Sequence, residues 1–284
     1  MIRLVLTMVA LAAAVPAAAR DLTVMSLNIR LPAEGDGANR WELRRDLTAA
    51  TIRRADPDVI GMQELFKLQA DDVVARLPRY RWIGVGRSGT GRAEDEHMGV
   101  FYRADRLQVE RWGNFWLSDT PEVPGSISWG HPYPRMVTWA IFRERDGKRF
   151  AMFNTHLPYR AEDEAAREKG AALLAARIPG IARELPVVLT GDFNTVPDSP
   201  THRRLERDLT DAWVATRRRS GPEATFHGFT GKPDRRIDWI FTRGFTPVSV
   251  TTIDTRRGDV FPSDHYPVVA VLRRARQGSA SPRT

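Results

Sequence analysis

The 284-residue chain contains no cysteine. That excludes disulfide bonds, thiol nucleophiles and thiolate metal sites together. Lysine is scarce too: Lys67, Lys148, Lys169 and Lys232 are the only four, so arginine carries the excess of 43 Lys and Arg over 35 Asp and Glu. Arginine's planar fork suits phosphate oxygens better than an ammonium does, although an arginine- and alanine-rich composition also follows from GC-rich coding. A positive balance favours anionic partners and says nothing of fold. Beyond residue 20 no apolar run approaches the roughly 20 residues that span a bilayer, so no stable membrane anchor is expected. No low-complexity linker divides the chain, and no obligate protein partner is evident.

Residues 1–19 read differently from the rest. Arg3 gives a positive start, Leu4 to Val15 an apolar stretch, and Ala17, Ala18 and Ala19 the small residues of a cleavage site. This is the pattern of a signal peptide, with a mature chain from near Arg20 and a periplasmic or secreted destination. One domain is expected over 20–273, followed by a polar, disordered tail over 274–284.

Within the domain, short β-branched apolar runs alternate with helical patterns, the signature of an α/β layered architecture. Strands are expected at Leu22–Ile29, Val59–Gln63, Arg81–Val85, His97–Tyr102, Leu107–Leu117, Met136–Arg143, Phe150–Thr155, Val187–Thr190, Arg236–Phe241, Val248–Thr252 and Val268–Leu272. Eleven strands imply more than one sheet. Helices are expected at Trp41–Arg54 behind an Asn39 cap, Leu65–Arg76, Glu162–Ile178, and Thr201–Leu209 behind Ser199-Pro200. Gly84-Val85-Gly86-Arg87-Ser88-Gly89 matches a dinucleotide fingerprint, but no helix opens after it, so it reads as a flexible loop between strands.

The informative pattern lies at strand ends. Asn28 follows one apolar run and Glu64 another; His156 closes a third, and Asp192 and Asn194 follow a fourth. Asp238 sits in the run that leads to Phe241, and Asp264-His265 precede the last one. Each alone has an ordinary reading as a turn cap or a surface charge. Together they supply oxygen ligands for a hard cation, imidazoles for proton transfer or phosphate binding, and carboxylates to orient them.

These segments resemble the motifs of the endonuclease/exonuclease/phosphatase superfamily. The resemblance is carried, in order, by Leu27-Asn28-Ile29-Arg30, Met62-Gln63-Glu64, Asn154-Thr155-His156-Leu157, Gly191-Asp192-Phe193-Asn194, Arg236-Ile237-Asp238-Trp239-Ile240 and Ser263-Asp264-His265-Tyr266-Pro267. It implies a DNase I-like sandwich of two mixed, mostly antiparallel sheets with helices outside. It implies further that Glu64, with Asn28 and Asp264, holds Mg²⁺, Mn²⁺ or Ca²⁺. Asp192 would position and deprotonate the attacking water, with Asn194 holding the phosphate or that water. Asp238 would orient His265 toward the phosphate, and His156 would face it from the other side, paired with Glu96. Arg135 matches an active-site arginine of some members. His156 stands where abasic-site endonucleases carry tyrosine, a departure from that branch.

The expected activity is metal-assisted hydrolysis of a phosphate ester by direct attack of water. Net positive charge favours a nuclease-type substrate, so nucleic acid is a candidate partner. A sphingomyelinase or inositol phosphatase is the alternative within the class, and a non-catalytic binding module on the same fold the alternative outside it. Trp129, on the long loop 120–134, is a candidate to stack on a base or sugar, while Trp112, Trp116 and Trp139 are expected to pack in the core.

Overall fold

Side-chain alternation along the first strand, β1 (Leu22–Asn28), sets the layering. Leu22 and Val24 join the cluster between the sheets, whereas Met25 and Leu27 pack outward beneath a helix. The computed structural model describes residues 20–275. In chain order the elements are β1, α1 (Trp41–Ala55), β2 (Val59–Gln63), α2 (Lys67–Arg76), β3 (Tyr80–Ile83), β4 (Val100–Arg103), β5 (Leu107–Trp116), β6 (Met136–Glu144) and β7 (Arg149–His156). Then come α3 (Glu164–Ala182), β8 (Val187–Asp192), α4 (Pro200–Glu206), β9 (Thr210–Asp211), α5 (Ala212–Ala215), β10 (Arg219–Ser220), β11 (Asp238–Arg243), β12 (Phe245–Thr252) and β13 (Val268–Arg274).

The strands form two mixed sheets, ordered β10-β12-β13-β1-β2-β4-β3 and β5-β6-β7-β8-β11-β9. Each has a parallel pair at its centre, β1 with β2 and β7 with β8; the other pairings are antiparallel except for the short edge strand β10, which runs parallel to β12. Helices α1 and α2 cover the outer face of the first sheet through Trp41, Ile52 and Val73, and α3 and α4 cover the second through Leu174, Ile178 and Leu205. The result is the two-sheet α/β sandwich that the strand count and the motif resemblance imply.

Along the inward-facing positions, composition changes from apolar to polar. Val24 gives way to Ser26 and Asn28, Met152 to Asn154 and His156, and Val188 to Thr190 and Asp192; all are buried. The polar halves lock the sheets together. Asn154 donates to the Met62 and Gly99 carbonyls at 2.8 and 3.0 Å and accepts from Gln63 and Thr190 at 2.7 and 3.0 Å. Gly61 makes this approach possible, because a Cβ there would overlap Thr190 Oγ1.

Several boundaries differ from expectation. Asn39 does not cap α1. It ends a 3-10 turn (Glu34–Asn39), and its side chain ties the 259–261 loop by accepting from the Phe261 N–H at 2.8 Å. Leu65 and His97 bridge each other, which delays α2 to Lys67 and β4 to Val100. Helix α4 stops at Glu206, and β9, α5 and β10 are too short for any periodicity to reveal. Arg274, assigned to the tail, lies in β13. The proposed signal peptide at 1–19 and the tail from 276 lie outside the described residues.

Candidate active site

The polar ends of the inward faces meet at one edge of the sandwich. Register does most of the gathering: Asp192 pairs with His156 on the parallel neighbour β7 and with Asp238 on the antiparallel neighbour β11. Two carboxylates directly opposite each other are unfavourable by themselves. His265 relieves the pair, with Nδ1 2.9 Å from Asp238 Oδ2 and Nε2 3.8 Å from Asp192 Oδ2. His156 Nε2 lies 3.5 Å from the same Asp192 oxygen, and its Nδ1 is 3.3 Å from Glu96 Oε1. Asn28 Nδ2 donates to Asp192 Oδ2 and to Glu64 Oε1, both at 3.0 Å. Three groups thus converge on one carboxylate oxygen.

Sharp reversals aim the side chains that follow the strands. Arg30, Glu64 and Asn194, placed just past β1, β2 and β8, have φ of 58°, 55° and 52°. Non-glycine residues adopt this left-handed region at a cost, and such outliers gather at functional sites. At Asn194 the turn is paid back locally, since its N–H donates to Asp192 Oδ1 at 2.9 Å and its Nδ2 to the Leu157 carbonyl at 3.0 Å. At Glu64 the turn exposes one face of the carboxylate to the cleft, while Asn28 and the Leu31 N–H, at 3.0 Å each, hold the other.

The resulting cleft has a volume of about 500 Å³. Glu64, Glu96, Arg135, His156, Asp192, Asn194, Asp264 and His265 all line it; Asn28 and Asp238 stand behind, bracing lining groups. Every candidate catalytic, metal and phosphate-binding residue is therefore in or against one cavity. Asn28 has a different bearing from the one expected: its Oδ1 accepts the Arg30 N–H at 2.9 Å, so the oxygen assigned to a cation is engaged by backbone. Asp264 stands beside Arg30, 3.9 Å away, and receives a 3.3 Å hydrogen bond from Ser263. Trp129 is not part of the lining. It packs on the outer cluster over α3 and donates to Asp119 at 2.8 Å. Trp112, expected in the core, is exposed on β5 at the edge of its sheet.

Burial sets the electrostatics. It pushes the Asp192 carboxyl up, with the imidazoles of His156 and His265 pulling it back and Asp238 adding to the rise. The imidazoles diverge. Burial, aided by the Arg135 charge, lowers His156 to about 3. Burial works against a charge on His265 as well, but the Asp238 carboxylate beside it, with Asp192 and Asp264, raises it to about 10. One imidazole is thus held neutral and the other charged. Burial also lowers Arg135, which is 4% exposed and has one buried guanidinium nitrogen without a partner among the described residues.

The donor set fits a hard divalent cation. Glu64, His156 and Asp192 present ligand atoms within 4.8 Å of one another, as do Asp192, Asp238 and His265. Burial raises Asp264, with the His265 imidazole opposing and the Glu64 charge reinforcing the rise. Carboxylates crowded and buried in this way are relieved by a bound cation, and oxygen donors without sulfur suit Mg²⁺, Mn²⁺ or Ca²⁺.

Some of the machinery left little mark in the sequence. Arg87, from the glycine loop between strands, binds Glu96 Oε2 at 2.7 Å, and its backbone N–H donates to the Glu96 carbonyl at 2.8 Å. Arg44, fully buried, donates to the carbonyls of Ile29, Arg30, Asn39 and Pro262 at 2.6 to 2.9 Å, joining the loops that carry Asn28 and Asp264. Its signal was its place on the same face of α1 as Trp41 and Leu47. Tyr133, Tyr159, Phe226 and Arg235 also line the cleft, and only its geometry reveals them.

A layered sandwich with such a cleft at its polar edge defines a hydrolase of phosphate esters. The model of the Endonuclease/Exonuclease/phosphatase family matches residues 25–265, and the chain belongs to that family, whose members are phosphoester hydrolases that generally depend on divalent metal. A protein of Acanthamoeba polyphaga mimivirus, L388, is 32% identical over 253 residues, which is 82% of this chain and 92% of that one. Among solved structures, an endonuclease/exonuclease/phosphatase from Bacteroides vulgatus is 33% identical with a TM-score of 0.84, covering 89% of this chain and 99% of its own. A mannosyl-6-phosphatase from Bacteroides thetaiotaomicron is 33% identical with a TM-score of 0.82, covering 88% and 99%.

Proposed function

We propose that the protein is an exported, divalent-metal-dependent phosphomonoesterase acting on small phosphorylated sugars. The convergence of Asn28, His156 and His265 on Asp192 Oδ2, inside a cleft that also holds the unpaired guanidinium N–H of Arg135, carries this reading. Glu64 and Asp264 would hold the metal, with Asn28 fixing Glu64. When bound, the cation would draw charge from the phosphoryl oxygens.

The chain's own groups divide the remaining work. Asp192 orients the attacking water and takes its proton as the new P–O bond forms; the ester P–O bond breaks and the departing alkoxide takes up a proton from solvent to leave as the alcohol. Asn28 and the Asn194 N–H keep that carboxylate in place. His265, oriented by Asp238, donates to a phosphoryl oxygen where charge develops, and Arg135 and His156 approach the phosphate from the other side. Glu96 holds the His156 ring.

A small substrate is favoured over nucleic acid for three reasons. The cleft volume falls in the range of small-molecule sites. Many arginines answer carboxylates beside them, as in Arg30 with Asp36, Arg76 with Asp72 and Arg160 with Asp163, which leaves fewer of them free to follow a phosphate backbone. Similarity to a mannosyl-6-phosphatase points the same way. Export rests on the residue pattern of 1–19. A panel of mannose 6-phosphate, inositol phosphates, sphingomyelin, RNA and plasmid DNA with Mg²⁺ or Mn²⁺ tests the substrate class. Fastest turnover is expected on the sugar monoester; degradation of DNA or RNA with no release of phosphate from monoesters overturns it.

A further inference from the structure

At the mouth of the cleft two tyrosines stand in solvent, Tyr133 46% and Tyr159 54% exposed, with ring centroids 6.4 Å apart and planes 28° from parallel. Scattered exposed apolar side chains are ordinary, and Leu43 and Leu68 on the outer helices are examples. These two are different because buried groups fix the backbone that presents them. Arg167, 4% exposed, donates to the carbonyls of Pro158 and Arg160 on either side of Tyr159, at 2.8 and 2.7 Å. Arg160 crosses to the Gly130 carbonyl at 2.8 Å and so ties this turn to the loop that bears Tyr133. On that loop His131, itself buried, places Nδ1 2.7 Å from the Tyr133 carbonyl.

The tyrosines also stand next to the chemistry. Tyr159 lies three residues past His156, and the Arg87 guanidinium sits 4.9 Å from the centre of the Tyr133 ring while holding Glu96, which holds His156. Nothing in the hydrolytic step uses the two rings. Exposed aromatic faces on a hydrogen-bonded backbone beside a phosphate site offer an apolar surface to whatever the phosphate is attached to.

We infer that Tyr133 and Tyr159 form a leaving-group platform that receives the C–H face of a sugar ring and sets the preference for cyclic over acyclic phosphate esters. In a hexose 6-phosphate one methylene separates the ring from the ester oxygen, so a ring held on the tyrosines keeps its phosphate at Asp192 and Arg135. Arg167 and Arg160 are positioning residues for the platform. The inference rests on the phosphomonoesterase reading above and deepens it.

The test compares kcat/KM for mannose 6-phosphate and glycerol 3-phosphate, with Mg²⁺, in the wild type, Tyr133→Ala, Tyr159→Ala and Tyr159→Phe. The wild type should prefer the sugar ester. Each alanine variant should lower that ratio about tenfold, chiefly by raising KM for the sugar ester, as expected when contact equal for ground and transition states is removed. Tyr159→Phe, which keeps the ring face, should hold the ratio within about threefold. The platform is rejected by a wild-type ratio near one, by alanine variants that preserve the ratio, or by a phenylalanine variant as impaired as alanine. If the wild type cleaves bis-p-nitrophenyl phosphate but neither monoester, the phosphomonoesterase reading itself has failed and the platform goes with it.

Discussion

The pair formed by Asp238 and His265 concentrates the site's logic in two side chains. Asp238 is buried at the start of β11, and its second oxygen has no hydrogen-bond partner in the described structure. Such a carboxylate is costly unless it serves a neighbouring cation. Asp238→Asn keeps the shape and loses the charge that favours imidazolium. We expect kcat to fall by roughly a hundredfold to ten-thousandfold, with a thermal midpoint close to wild type; a near-normal kcat would remove the pair from the mechanism. Another buried imidazole has a different duty. His227 stacks on Tyr266 with centroids 4.2 Å apart, and burial, reinforced by the His265 charge, lowers it from 6.5 to about 4. The unfolded chain therefore takes up this proton first, so the stability His227 contributes is intact above pH 6.5 and is lost as pH falls toward 4. In His227→Phe, chemical denaturation at a series of pH values should show a shallower decline across that window. An unchanged slope would assign the acid sensitivity to other groups.

At the scale of elements, the alternation that builds each strand also delivers the site. Val24, Ser26 and Asn28 lie on one face of β1, and Val188, Thr190 and Asp192 on one face of β8, so the change from apolar to polar along a face was already visible in the residue order. That is why the long strands and the strand-end ligands were legible. Distance-dependent features were not. The left-handed turns at Arg30 and Glu64 carry no glycine to announce them, and Arg87 reaches Glu96 only because Gly86 pairs with His97 across the loop. The bearing of Asn28 was equally hidden, since an amide can turn its NH2 to a carboxylate or its oxygen to a cation and the neighbouring Arg30 N–H engages the oxygen. Gly61 tests the join between the sheets. A Cβ there would overlap Thr190 Oγ1 and come within 2.5 Å of Asn154 Oδ1. Gly61→Ala should cost about 3 kcal/mol by overpacking, measured by urea denaturation. A loss below about 1 kcal/mol would mean the polar layer yields more readily than its hydrogen bonds suggest.

For the whole molecule, composition was the weakest guide. A net charge of +8 suggested a polyanion, yet many arginines answer carboxylates next to them, and a few line the cleft. What defines the enzyme is that residues from 28 to 265 meet around Asp192. The most direct test of that claim is a metal titration of phosphate release, using the panel ester that turns over fastest, on EDTA-stripped wild type and Glu64→Gln. Stripping should abolish release, Mg²⁺ or Mn²⁺ should restore it, and Glu64→Gln should need at least about tenfold more metal for half-recovery at an unchanged thermal midpoint. Turnover by the stripped wild type, or superimposable titration curves for the two proteins, would contradict that claim.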